Sequence, residues 1–326
     1  MEQKEKRVLK PYHGIIFFVI AILALIFPGA LMQYYLGIPG LVYSELLFLV
    51  LAVLYVLVLR GDLKKVFPIR RVKWVSIIGT LLLWGGTFLV VMLLTMIITA
   101  FFPEQMLETS QGLSDTFENM SLGVQILVVG LLPAICEEAM HRGVIMNSFR
   151  PMNNKWIAIV GVGILFGINH LDIWRFIPTA VLGISLTYVA YETDNILYSI
   201  LYHFVNNSFA SIVTALSGVA SNSIVQNEMA SNAVEMAMDL YAQPAYTISA
   251  IAMYMIMASI APFLMYTAAY LVRLGKVDAS EVTYFPKQHK GWVIGILVGL
   301  TVFLFAGGAI LLFGGALLTA VSMGSI

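Results

Sequence analysis

Two adjacent glutamates, an arginine and two histidines stand inside segments that otherwise read as transmembrane helices. Glu137 and Glu138 precede Arg142 in one apolar stretch, His170 closes the next, and His203 with Asn207 lies in a third. Charged and titratable groups are costly in a bilayer, so they pair, line a wet cavity and perform a function. Their spacing suggests how. Glu138 and Arg142 are four residues apart and share a helix face, as do Glu137 and His141. An arginine at that depth needs a partner, so Glu138 with Arg142 reads as an ion pair that fixes the helix, which leaves Glu137 for chemistry. Pro133, one turn earlier, lacks an N–H and should kink the helix, opening backbone groups and room for water beside that carboxylate. His203 and Asn207 present an imidazole and an amide on one face. A carboxylate with a histidine can position and deprotonate a water, and a second histidine with an amide can donate to an oxyanion.

Each of these residues also has a plainer reading. The glutamates and arginine can form a purely structural pair, His170 can sit at an interface, and His203 with Asn206 and Asn207 can bond between helices. His141 is left open between lipid headgroups and a cap on the site. Cys136, the one cysteine, excludes an internal disulfide and any multi-cysteine metal site and reads as a small apolar packer. Tyr188, Tyr191, Tyr198 and Tyr202 read as packing and interface aromatics rather than substrate contacts.

The elements that must position these groups follow from composition. Of the 326 residues, 60% are hydrophobic, only 11% are charged and the mean hydropathy is +0.90, far more apolar surface than a soluble fold uses. With roughly 20 apolar residues per crossing, we read nine spans, eight being possible: near 14–35, 40–59, 74–101, 121–148, 156–171, 176–192, 194–216, 245–272 and 291–316. The first is too long for a signal-peptide core. The expected fold is an all-α polytopic transmembrane helix bundle, residues 1–326 forming a single integral membrane domain with core helices at 121–216. Loops rich in lysine and arginine stay in the cytoplasm, and 16 of the 18 basic residues fall on one side of this arrangement. Only Arg142, within a span, and Arg175, outside, depart from it. The N-terminus is therefore expected inside. The basic and apolar segment 60–73 suits an anionic inner leaflet or a plain topology signal, 217–244 suits a short outer helix, and 274–290 shows no catalytic pattern.

Depth then brings the polar residues together. At 1.5 Å per residue, Glu137 lies roughly 18 Å, His170 roughly 21 Å and His203 roughly 14 Å from the cytoplasmic ends of their helices. Such convergence favours a common site, with access expected from the cytoplasmic side.

The three motifs resemble those of the CPBP family of intramembrane proteases, the CAAX-processing and bacteriocin-processing group also called Abi. The family pattern is Glu-Glu-x-x-x-Arg, Phe-x-x-x-His and His-x-x-x-Asn on successive helices. Glu137, Glu138 and Arg142, then Phe166 and His170, then His203 and Asn207 fill every position. The resemblance covers roughly residues 121–215. It implies an intramembrane endopeptidase in which Glu137 activates water alongside His170, His203 and Asn207 stabilise the oxyanion, and Arg142 holds the glutamate pair. It implies a lipidated CAAX-type (prenylated) or other membrane-embedded protein or peptide substrate and a bacterial cell membrane.

Zinc dependence is left open by the family. Glu137, His170 and His203 are the residues that could hold a zinc ion, but the His-Glu-x-x-His signature is missing, and we favour a site with no required cofactor. Competing classes are a proton-coupled transporter, which would also place Glu and His at mid-bilayer, and a catalytically silent immunity or binding protein of the same fold. No phosphate loop or nucleic-acid surface is visible.

Overall fold

A computed structural model describes residues 6–117, 120–220, 238–276 and 282–322. The described residues are helical apart from short connections and contain no strand, only an isolated bridge between Arg7 and Gly61. In order they form α1 (Pro11–Leu36), α2 (Ile38–Val58), α3 (Trp74–Phe101), α4 (Pro103–Phe117), α5 (Leu122–Phe149), α6 (Lys155–Asn169), α7 (Phe176–Thr193), α8 (Ile196–Ala220), α9 (Pro244–Leu274) and α10 (Lys290–Ser322). Each expected span coincides with a helix, and α4 adds one in a connection. Most of the expected outer helix at 217–244 lies outside the described residues.

Seven of these helices are long and apolar enough to cross a membrane: α1, α2, α3, α5, α8, α9 and α10. The other two expected spans differ for a physical reason. Helix α6 is apolar but only 15 residues long, and α7 packs against α3, α6, α8 and α9, burying ten of its 18 residues. A helix enclosed by other helices needs less hydropathy than one facing lipid. The rim is the converse, since α10 exposes Trp292, Phe303, Ile310 and Phe313, a continuous apolar surface that suits hydrocarbon and not water.

Two apolar clusters flank α5. Phe17, Phe48, Val56, Cys136, Met140 and Val144 join α1, α2 and α5, and Leu83, Phe166, Leu186, Val189 and Tyr202 join α3, α6, α7 and α8. Cys136 is fully buried in the first, in keeping with a packing role. Helix α5 is not uniform. It passes through π-helical stretches at Ile126–Leu131, directly before Pro133, and at Ala139–Ile145. Such wide turns recur at functional sites because they re-aim side chains, and here they bracket Glu137 and Glu138.

The basic residues gather at one end of the bundle. Lys6 pairs with Asp62 at 3.0 Å, Arg70 and Arg150 both reach Asp194, the latter at 2.9 Å, and Lys155 meets Glu192 at 2.6 Å. The chain start, the 60–73 segment, the end of α5, the start of α6 and the end of α7 thus converge at that end. Asp62 is partly exposed, and its carboxyl is held below the usual carboxylate range chiefly by the hydrogen bond from Lys6.

Helices α6 and α7 cross closely. A Cβ on Gly163 would lie 2.4 Å from Ile184 Cγ1 and 2.5 Å from the Ile184 backbone nitrogen, and one on Gly183 would lie 2.8 Å from the Gly163 carbonyl oxygen. Backbone cannot yield as a side chain can. Gly163→Val is therefore expected to destabilise the protein by about 1–3 kcal/mol or more, read as a lower Tm in detergent. Gly161→Ala, with nothing within 4 Å of its added Cβ, should be neutral or mildly stabilising, and equal Tm values for the two would contradict this crossing.

Candidate active site

The site is built outward from Glu138, which is 0% exposed. Its Oε1 accepts from Arg142 Nη1 at 2.6 Å and lies 3.0 Å from His203 Nδ1. The expected Glu138–Arg142 ion pair is present, but it does more than fix its own helix, because the same oxygen holds the imidazole of α8. Arg142, also 0% exposed, donates from Nη2 to the Gly183 carbonyl of α7 at 2.9 Å. Its guanidinium lies over the Phe166 ring of α6, 4.6 Å from the centroid. The Glu138–Arg142 pair thus ties four helices.

Phe166 is the second organiser. Its fully buried ring takes edge contacts from His141 at 5.0 Å, His170 at 4.9 Å and His203 at 5.6 Å. Three imidazoles and one guanidinium around a single ring use both its electron-rich face and its electropositive edge. His141 is itself fully buried, which places it away from lipid headgroups.

Backbone and carboxylate acceptors orient the rings. His170 Nδ1 lies 2.9 Å from the Phe166 carbonyl oxygen, and His141 Nδ1 lies 3.0 Å from that of Glu137. A carbonyl or carboxylate oxygen only accepts, so Nδ1 carries the proton in His141, His170 and His203, and Nε2 is left for other partners. Asn207 donates from Nδ2 to the Val129 carbonyl at 3.1 Å and accepts from Asn206 Nδ2 at 3.3 Å. Val129 belongs to the first π-helical stretch of α5, so the irregular backbone above Pro133 has a defined partner.

Phe166, His170, His203, Asn206 and Asn207 line one cavity of about 520 Å³. Its remaining walls are mostly apolar, with Phe88, Val91 and Met92 of α3, Met106 of α4, Leu182 of α7 and Phe209 of α8. The cavity runs from the level of His203 away from Asp194, hence away from the basic end. Counting along helices from Asp194 and Lys73, Val213 and Thr95 at its far side lie roughly 30 Å on. This differs from the access expected from sequence, which weighed only the depth of Glu137 and His203 and not which half of the bundle is hollow.

Glu137 is not among the lining residues. It is half-buried, its Oε2 is buried without a hydrogen bond among the described residues, and it interacts electrostatically with His203, Glu138 and Arg142. Two further residues belong to the neighbourhood. Glu45 of α2 is 8% exposed, has a buried Oε2 without a partner, and interacts electrostatically with Glu137. As the lone acidic residue of span 40–59, it carried a readable signal. Arg175 lines the cavity, and its signal was its position against the charge rule.

Among the described residues, no group of three or more His, Cys, Asp or Glu side chains converges as metal ligands. His203 turns Nδ1 to Glu138, which leaves its Nε2 open.

The buried network sets a stability expectation. Arg142→Met strands the Glu138 charge and should cost about 3–5 kcal/mol, measured by thermal or denaturant unfolding in detergent. Glu138→Leu combined with Arg142→Met should recover much of that loss, and an Arg142→Met protein as stable as the parent would overturn the shared-carboxylate arrangement.

No curated protein and no solved structure gives a significant match to the chain. Residues 119–209 match the family described as Rce1-like, Type II CAAX prenyl endopeptidase Rce1-like, from the connection before α5 into α8. The matched segment carries all three motifs, so this part of the chain is similar to the CAAX prenyl endopeptidase family, as the motifs themselves suggested.

Proposed function

We propose that the protein is an intramembrane endopeptidase that hydrolyses a peptide bond of a membrane-associated or CAAX-type prenylated substrate. One observation carries the reading: Glu138 binds His203 at 3.0 Å while His170, His203 and Asn207 line a single cavity. A buried carboxylate on Nδ1 holds an imidazole in one tautomer and stabilises its protonated form, as the carboxylate does in hydrolase triads.

In this reading Glu137 and His170 take a proton from a water, whose oxygen forms the new bond to the scissile carbonyl carbon. Protonated His203 donates from Nε2 to the oxyanion, together with the second N–H of the Asn207 amide. Breaking the C–N bond sends the abstracted proton to the leaving amine. Arg142 contributes by neutralising Glu138, so that the histidine proton is shared and not lost to the carboxylate. The apolar walls accept a lipidated or transmembrane segment. No step runs through a metal.

With the basic end in the cytoplasm, the N-terminus is inside and the cavity occupies the half of the bundle away from it. A bacterial plasma membrane suits the family resemblance.

Detergent-purified protein and a fluorogenic CAAX-type peptide, prenylated and unprenylated, test the reading. Glu137→Gln should lower kcat by at least about 100-fold at unchanged Tm, His203→Gln should lower kcat similarly with a lower Tm because buried Glu138 loses a partner, and activity should survive a strong chelator. Cleavage undiminished in Glu137→Gln would sink the mechanism, and loss on chelation with rescue by zinc would replace it with a metalloenzyme.

A further inference from the structure

Arg175 is the one basic residue that the charge pattern of the chain leaves away from the basic end, Arg142 being spent on Glu138. It follows a built turn. Leu171 adopts a left-handed conformation, φ 52°, immediately after His170 and ends α6, a backbone state that a non-glycine residue enters only when its surroundings impose it. Asp172 Oδ1 then accepts from the backbone nitrogens of Trp174 at 2.9 Å and Arg175 at 3.3 Å, starting α7, while Trp174 packs on Phe102 with ring centroids 4.8 Å apart. This turn delivers Arg175 to the wall of the cavity that His170 and His203 also line.

The side chain is otherwise uncommitted. Among the described residues its guanidinium has no hydrogen bond or ion pair; Asp172, whose Oδ1 accepts from the two backbone donors, and Glu137 lie within electrostatic range. Among the described residues, Arg175 is the one Lys, Arg, Asp or Glu side chain on the cavity wall. A guanidinium facing an apolar cavity offers a planar fork that fits a carboxylate through two parallel hydrogen bonds. Arginines that merely snorkel toward an interface have no reason to stand beside catalytic histidines.

We propose that Arg175 anchors a carboxylate of the peptide substrate, fixing where the chain lies relative to His170 and His203; this rests on the endopeptidase reading. The carboxylate is supplied either by the substrate's C-terminus or by an acidic side chain near the scissile bond. Arg175 is a substrate-positioning residue, so its loss acts on KM more than on kcat.

The test uses full-length protein in detergent and farnesylated fluorescent peptides in two matched pairs: C-terminal acid against amide, and internal Glu against Gln. Binding by anisotropy and cleavage are measured for the parent, Arg175→Gln and Arg175→Lys, each first confirmed to melt cooperatively. The parent should bind the carboxylate member of one pair roughly 10-fold or more tightly. Arg175→Gln should erase that preference, raising KM with kcat little changed, and Arg175→Lys should keep part of it. Which pair responds identifies the source. Should Arg175→Gln not fold, the parent's preference and its reduction in Arg175→Lys decide whether the anchor stands. Equal binding within both pairs, or a preference that survives Arg175→Gln, overturns the anchor even where cleavage is robust. An Arg175-dependent preference with no cleavage upholds the carboxylate subsite and overturns the endopeptidase reading instead.

Discussion

The architecture turns on a single oxygen. Glu138 Oε1 is shared by a guanidinium and an imidazole in a fully buried position, where an unpaired charge would cost several kcal/mol. That constraint permits few arrangements of the surrounding helices. Arg142 must stand one turn along α5, His203 must face it from α8, and Gly183 of α7 must turn its carbonyl to the second guanidinium nitrogen. The Gly163–Gly183 approach brings α6 close enough for Phe166 to lie beneath the guanidinium. Packing and charge therefore specify the same geometry.

Buried ion pairs are poor sources of net stability but strict arbiters of register. Sliding α8 by one residue would take His203 off Glu138 and turn Asn207 away from Val129 together. The cavity can then remain largely apolar and still be chemically defined, because its polar groups are anchored from behind by residues that substrate never meets.

Much of the core was legible from residue spacing. Period-four pairs, Glu138 with Arg142 and His203 with Asn207, translate directly into shared helix faces, and the cost of ionisable groups in hydrocarbon marks them as partners. Spacing is silent about contacts between helices. That Glu138 serves two donors at once, that His141 is internal, and that Phe166 collects three imidazoles depend on how α5, α6 and α8 rotate against one another. The hollow half of the bundle was invisible because a cavity is a property of several helices together, as α7 illustrates: its modest hydropathy reflects enclosure by protein. Glu45 and Arg175 were readable as anomalies of position, yet only their neighbours give those anomalies a meaning.

The fixed tautomers bear on what kind of machine this interior can be. A transmembrane proton path needs each ring to receive a proton on one nitrogen and release it from the other to a group able to pass it on. Behind His170 stands the Phe166 carbonyl, which has no proton to relay, and behind His203 stands a carboxylate already claimed by a guanidinium. The rings open to the cavity and close behind it. In the endopeptidase reading, a proton that either ring gains or loses is exchanged on the cavity side, through Nε2.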